Sequence, residues 1–272
     1  MQRLFVMTID VDPSLRSIPS FVTKKGLNSL LCLLDKYAIK ATFFVPSSVA
    51  EEFPIKMREV VQRGHEIACH GLKHDPWEAT LDADKQTKMI KTATENIQSV
   101  TGFRPVGFRA PLFRIKEDCW IALQKNDYVY DSSIVFSPFY RKQKILPAKP
   151  FLLTTSKVIG NGGLLEIPVS VNPLLPFPLG GAPLRLFGLR WCKVGVKLNF
   201  ISRAPVVFYI HPKDVVPRTY GRNWSSHLNT FDCLKMVEET IKYAKQSGAK
   251  FLRALELSKL FETDSQSYQM II

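Results

Sequence analysis

The chain has 272 residues and a mass of 30.9 kDa, enough for one large α/β domain or two small ones whose core needs no disulfide staples. Hydrophobic residues make up 46% and charged residues 22%, which excludes a disordered, collagen-like or coiled-coil chain. The departure from the average is the charge, 37 Lys and Arg against 24 Asp and Glu, a formal +13.

Residues 1–131 carry 18 basic and 16 acidic residues, and residues 214–272 carry 8 and 7. Residues 132–213 carry 11 basic residues and a single acid, Glu166, so +10 of the +13 falls there. A local anionic partner is implied, beside an otherwise near-neutral surface. The N-terminal apolar run is too short for a signal peptide and reaches Asp10 at once, so an unexported, cytoplasmic chain is expected. The uncharged stretch Ile167 to Leu184 contains Pro168, Pro173, Pro176, Pro178 and Pro183, which would break a membrane helix. Five cysteines are scattered without a CxxC pair and read as reduced thiols.

In chain order, Arg3 to Thr8 reads as a buried strand ending in the polar turn Asp10-Val11-Asp12-Pro13. Leu27, Leu30, Leu31 and Leu34 recur at helical spacing, and Ala41 to Val45 supplies a second strand. A helix over roughly Ser47 to Gln62 stops at Gly64, and Glu66 to Cys69 is the third strand. Asp82 caps a helix with Ile90, Ala93 and Ile97 on its face, and Val106 to Phe108 is the next strand. A short helix near Asp118 to Lys125 and strands at Tyr128–Tyr130, Leu164–Val169 and Val206–Ile210 follow, with a last helix from about Thr230 to Gln246. Repeated βα units predict a parallel sheet or barrel with its chemistry at the C-terminal strand ends. Residues 136–163 and 170–203 are punctuated by Pro and Gly and read as irregular, an insertion.

Polar residues collect just past the ends of these strands: Asp10 and Asp12, His70 and His74, Arg109, Asp131 and His211. His70-Gly-Leu-Lys-His74 places two imidazoles four residues apart, neighbours on one face if the segment is helical. HxxxH arises often by chance and lacks the Glu of the HExxH signature. A carboxylate from Asp10 or Asp12 would complete a His/His/Asp set with positions left open, as a catalytic metal site requires, and the other carboxylate could serve as base.

Thr8-Ile9-Asp10-Val11-Asp12, Gly64-His65-Glu66-Ile67-Ala68-Cys69-His70-Gly71-Leu72-Lys73-His74, Gly107-Phe108-Arg109-Ala110-Pro111, Tyr130-Asp131-Ser132-Ser133 and Tyr209-Ile210-His211-Pro212 resemble, in order, the successive motifs of the polysaccharide deacetylases (NodB homology, carbohydrate esterase family 4). The resemblance implies an α/β fold, an irregular (β/α)7 barrel. It would be a single NodB-like domain over 1–272, with a basic apolar insertion at about 136–203 before the last catalytic strand. It implies a metal-dependent hydrolase removing an N-acyl group, first of all acetyl, from an amino sugar of a glycan or lipid-linked saccharide. Asp12, His70 and His74 would hold one divalent ion, Zn2+ first, with Co2+, Ni2+ or Mn2+ as alternatives. Asp10 would be the general base, held by Arg109, and the Leu112 N–H would bind the oxyanion. His211 would be the general acid, with Asp131 tuning or orienting it. Pro111 biases Ala110 towards an extended backbone and so directs the next N–H.

Two departures from the family pattern stand out. Val11 separates two Asp residues that are adjacent in many members, and Leu112 stands where an aromatic usually follows the Arg-x-Pro segment. A deformylase of a polyprenyl-phosphate-linked formamido sugar is the runner-up. An inactive carbohydrate-binding relative is disfavoured because Asp10 and His211 are both present, and a Ser/His/Asp hydrolase because GxSxG is absent. Residues 172–197 combine Leu186, Phe187, Leu189 and Trp191 with Arg185, Arg190, Lys193 and Lys197 and no acid. They read either as a segment lying on an anionic membrane surface at the inner face of the cell membrane or as a roof over the barrel. No nucleic-acid-binding motif accompanies the cations.

Overall fold

The computed structural model describes residues 2–13, 20–137, 149, 151–154, 164–216, 232–262 and 269–271. Its elements are β1 (Leu4–Asp10), α1 (Ser20–Lys36), β2 (Thr42–Val45), α2 (Ser47–Glu52), α3 (Pro54–Gln62), β3 (Glu66–Cys69), α4 (Ala83–Thr101), β4 (Gly107–Phe108), α5 (Glu117–Lys125), β5 (Tyr130–Asp131), β6 (Phe151–Thr154), β7 (Leu165–Glu166), α6 (Gly181–Ile201), β8 (Val206–Ile210), α7 (Cys233–Gln246), β9 (Lys250–Leu252), α8 (Ala254–Glu262) and β10 (Gln269–Ile271). Short 3-10 turns occupy Pro76–Thr80, Pro111–Phe113 and Pro212–Val215. The chain divides into two compact units, one of Met1–Ala41, Val135–Ala148 and Val169–Leu252, the other of Thr42–Ile134, Lys149–Pro168 and Arg253–Ile272.

In the first unit β1 runs parallel to β8, Phe5 opposite Val206 through Ile9 opposite Ile210, and β9 pairs with its first half. β1 and β8 are buried along almost their whole length, which is why both read as continuous apolar runs rather than alternating ones. Helix α1 buries Leu27, Leu30, Leu31 and Leu34. A Cβ on its Gly26 would lie 2.0 Å from the Pro212 carbonyl oxygen, so the missing side chain lets the 212–215 turn rest on the helix. Asp232 caps α7 by accepting from the Lys235 N–H.

Of the two stretches expected to be irregular, 136–163 lies mostly outside the described residues, and 170–203 is irregular only before residue 181: Gly181–Ile201 form α6, which packs on α7 and β8. Pro183 falls in the helix's first turn, where a missing N–H costs nothing. Gly188 breaks the helix at φ 80°, ψ 175° and interrupts the 3.6-residue rhythm by which helices are recognised. Arg185, on the first piece of α6, is buried 3.9 Å from Asp214.

The second unit is a sheet in the order β2-β3-β4-β5-β7-β6-β10, parallel throughout except between β6 and β7. The helix expected over residues 47–62 is two helices that divide at Phe53 (φ −124°, ψ 55°), because Pro54 drives its predecessor out of the helical region. Helix α4 begins at Asp82 as expected, with the carboxylate accepting from Lys85 N–H, and ends at Gly102 in the left-handed region. Among the described residues no helix is long and apolar enough to cross a membrane.

Candidate active site

In the first unit, β1 ends at Asp10, which is buried, and the chain turns so that Asp12 N–H donates to the Asp10 carbonyl at 3.1 Å. Strand β8 delivers His211 from the same end. Its Nε2 lies 3.7 Å from Asp12 Oδ2, which also receives the Lys213 ammonium. The Nδ1 of His211 is 3.1 Å from Asp214 Oδ2, and the same oxygen accepts from the His211 N–H at 3.0 Å. Burial alone would lower the His211 pKa, but the charge of Asp12 and the hydrogen bond to Asp214 outweigh it and hold it above the ordinary histidine value. Burial likewise works against ionised Asp214, yet its bond to His211 prevails and its pKa is lowered.

In the second unit, β3 ends in the loop that carries His70 and His74. The two rings meet, with centroids 4.9 Å apart, though not on a helix face: Gly71 and His74 adopt φ 83° and 64° and fold the segment into a turn. Glu78 holds that turn. Its buried carboxylate accepts from the backbone N–H groups of Leu72, Lys73 and Asp75 at 2.8–3.0 Å. A Cβ at residue 71 would come within 2.3 Å of this carboxylate, so Gly71 is required by space as well as by φ. Nδ1 of His70 is 2.7 Å from the Arg109 carbonyl oxygen. An acceptor there fixes the proton on Nδ1 and leaves the Nε2 lone pair as the donor, the usual support of a metal-binding imidazole.

Arg109 is fully buried, donating Nε to the Ser132 carbonyl and Nη2 to Ser132 Oγ, with its guanidinium 4.0 Å from the centre of the Phe44 ring. Beyond it, Leu112 (φ 56°, ψ 19°) and Phe113 (φ 56°) are consecutive left-handed residues without being Gly. Each such residue costs on the order of 1–2 kcal/mol, and such strain collects at functional sites. The Leu112 N–H donates to none of the described residues.

Asp131, which the family resemblance pairs with His211, makes hydrogen bonds within its own unit. Its carboxylate takes the Trp120 indole N–H at 3.0 Å and the Ser133 hydroxyl at 2.5 Å, and it pairs in register with Glu166. The carboxylate against His211 Nδ1 is Asp214. Burial raises the Asp131 pKa, partly offset by hydrogen bonds with Glu166 and Ser133. Ser133 Oγ in turn accepts the Ala110 N–H at 2.7 Å, so Asp131 acts through Ser133 on the Arg109-Ala-Pro-Leu112 segment. Ser133→Ala is expected to leave the buried Ala110 N–H unpaired and to cost about 1–3 kcal/mol in denaturant unfolding, against near-neutral behaviour if the bond is dispensable.

Glu78 and Asp214 escaped the sequence reading, yet both carry a readable signal. Each is the acid three residues after a capping position with Pro between, Asp75-Pro-Trp-Glu78 and His211-Pro-Lys-Asp214, and both turns are reciprocal capping boxes.

Strand-end carboxylates and His211 stand in the first unit, and two imidazoles and a strained N–H donor in the second. Residues 2–130 match the polysaccharide deacetylase family model, and residues 139–257 match a domain of unknown function, DUF3473. Residues 2–130 are thus similar to a polysaccharide deacetylase domain. A peptidoglycan deacetylase-like protein of Gibberella zeae is 38% identical over 116 residues, which is 42% of this chain and 34% of that protein. The peptidoglycan deacetylase of Helicobacter pylori is 31% identical over 123 residues, 44% of this chain and 42% of its own length. The matched stretch thus spans less than half of either relative. A solved structure of a Mycobacterium smegmatis protein assigned to the polysaccharide deacetylases aligns with a TM-score of 0.77 at 20% identity, covering 100% of this chain and 94% of that one. The expected α/β fold of the NodB-type (β/α)7 barrels is therefore borne out.

Proposed function

We propose that this chain is a metal-dependent carbohydrate N-deacetylase acting on an acylated amino sugar of a glycan. The observation that carries the proposal is His70, with its Nδ1 tied to the Arg109 carbonyl beside His74, inside a domain that matches the polysaccharide deacetylases. The relatives named peptidoglycan deacetylases favour an N-acetylated glycan as substrate.

Asp12, His70 and His74 offer one carboxylate and two imidazoles, the donor set of an open catalytic site for a borderline divalent ion, zinc before the others. That Asp12 already takes a cation, the Lys213 ammonium, agrees with a locus that favours positive charge. The ion would supply Lewis acidity towards water and the acyl oxygen.

The chain's own groups divide the remaining work. Asp10 removes a proton from the attacking water. The carbonyl carbon becomes tetrahedral, and the Leu112 N–H donates to its oxyanion, an interaction made only as charge develops. His211, oriented through Nδ1 by Asp214, gives its proton to the sugar nitrogen as the C–N bond breaks, releasing acetate and a free amine. Arg109 is the residue that the family resemblance assigns to holding Asp10.

The test is a metal-reconstituted assay of N-acylated sugars, soluble and lipid-linked, with released acetate and formate measured separately. Acetate release that chelation abolishes and metal restores is the expected result. Formate as the product would replace acetyl by formyl as the group removed, and release of neither would overturn the reading.

A further inference from the structure

Helix α6 buries Cys192, Gly195, Val196, Asn199 and Phe200. After the break at Gly188, its outer face presents Arg190, Val194, Lys197 and Ile201, all exposed. At 3.6 residues per turn these four fall within an arc of about 60°, so they form one stripe along the helix. Val194 is 40% exposed and Ile201 64%. Leu174, at 76%, and Leu186, at 47%, are further large apolar groups left open by the same stretch of chain. Phe177, Phe187 and Trp191 form a half-buried aromatic row, with successive centroids 4.8 and 5.2 Å apart.

A stripe that alternates cations with aliphatic side chains is unusual for a face meant only for water, where charges of both signs interleave. Here no acid occurs from residue 167 to residue 213. Lys193 is engaged, its ammonium 5.6 Å from the centre of the Tyr243 ring. Among the described residues, Arg190 and Lys197 make no ion pair or side-chain hydrogen bond, so their charge is available to a partner. The partner that satisfies both halves of the pattern at once is a lipid surface, whose acyl boundary takes Val194 and Ile201 while its phosphates take Arg190 and Lys197. Nucleic acid would leave the aliphatic groups in water.

We infer that the outer face of α6 is a docking surface for an anionic bilayer. Contact through this face is peripheral and reversible, since two cations and a few aliphatic groups supply modest affinity. The inference does not draw on the deacetylase reading and stands or falls apart from it.

The test is co-sedimentation of the full chain with vesicles of phosphatidylcholine, alone or with one third phosphatidylglycerol, at low and high salt. Binding is expected on the mixed vesicles, weakening with salt. The double variant Arg190→Gln/Lys197→Gln should bind them about 30-fold more weakly, from the contribution of each cation near an anionic leaflet. Val194→Ser/Ile201→Ser should weaken binding at every salt concentration. Both double variants should retain the wild-type circular dichroism spectrum and denaturant midpoint. Wild-type protein that ignores the mixed vesicles, or variants that bind them like wild type, would overturn the inference. So would a change of oligomeric state in place of vesicle binding, since it would assign the stripe to a second copy of the chain.

Discussion

Replacing Asp10 with Asn is expected to lower turnover by roughly 10²–10⁴-fold, the range of a lost general base, while bound metal stays at its wild-type level. Asp12→Asn is expected to do the reverse in the first instance, losing the metal and the activity with it. The reasoning is local. Asp10 closes β1 as a buried carboxylate, and Asn keeps its shape and one acceptor while removing the basic oxygen. Asp12 is the more open of the two and already faces a cation, Lys213, as well as the His211 ring. It has the features of a charge-bearing ligand, for which a neutral amide is a poor substitute. Metal content after dialysis, measured beside kcat for each variant, separates the roles. If Asp10→Asn loses the metal and Asp12→Asn keeps it, the two assignments are exchanged.

How much of the fold and site the sequence carries depends on the kind of signal. β1, β3 and β8 are legible because each holds a short apolar run, Leu4–Met7, Ile67–Cys69 and Val206–Ile210, that leads into the polar residues at the strand's end. For a strand buried on both faces that pattern locates both the element and its functional end. The same pattern points to Asp10, His70 and His211. β4, β5 and β7 fall within or overlap the strands expected at Val106–Phe108, Tyr128–Tyr130 and Leu164–Val169, though each is only two residues long. Helix α6 was hidden by its own punctuation, because the sequence pattern does not distinguish a Pro in the first turn or a Gly at a break from those of a loop.

The His70-to-His74 segment shows a different limit. Spacing suggested a helical face, but the rings come together through left-handed backbone at Gly71 and His74, fastened by Glu78 from further along the chain. Charge arithmetic located the basic stretch correctly, yet it could not separate Arg185, buried against Asp214, from Arg190 and Lys197 on the surface. One cation of the excess thus supports the carboxylate behind His211, and others face outward.

Gly26→Ala should be a severe lesion, although Gly26 is no part of the chemistry. The new Cβ would sit 2.0 Å from the Pro212 carbonyl oxygen and 2.5 Å from its carbon. Both obstacles are backbone atoms, which have no rotamer by which to move aside. Either α1 or the 212–215 turn must shift by about 1 Å or more to restore ordinary contact distances. The turn is the smaller body, and it carries His211 at its cap and Asp214 at its third position. A displacement of that size at an acid group costs on the order of 10²-fold in rate. The overpacking itself should cost about 1–3 kcal/mol of stability. Gly102→Ala is the control, since Gly102 has φ 79° with nothing within 4 Å of its would-be Cβ. It should lose about 1 kcal/mol of stability and keep its kcat. Measuring kcat and denaturant midpoints for both variants distinguishes a displaced His211 from simple destabilisation. A Gly26→Ala protein with wild-type kcat would mean that α1 yields instead and that the His211 turn is positioned by β8 and Asp214 alone.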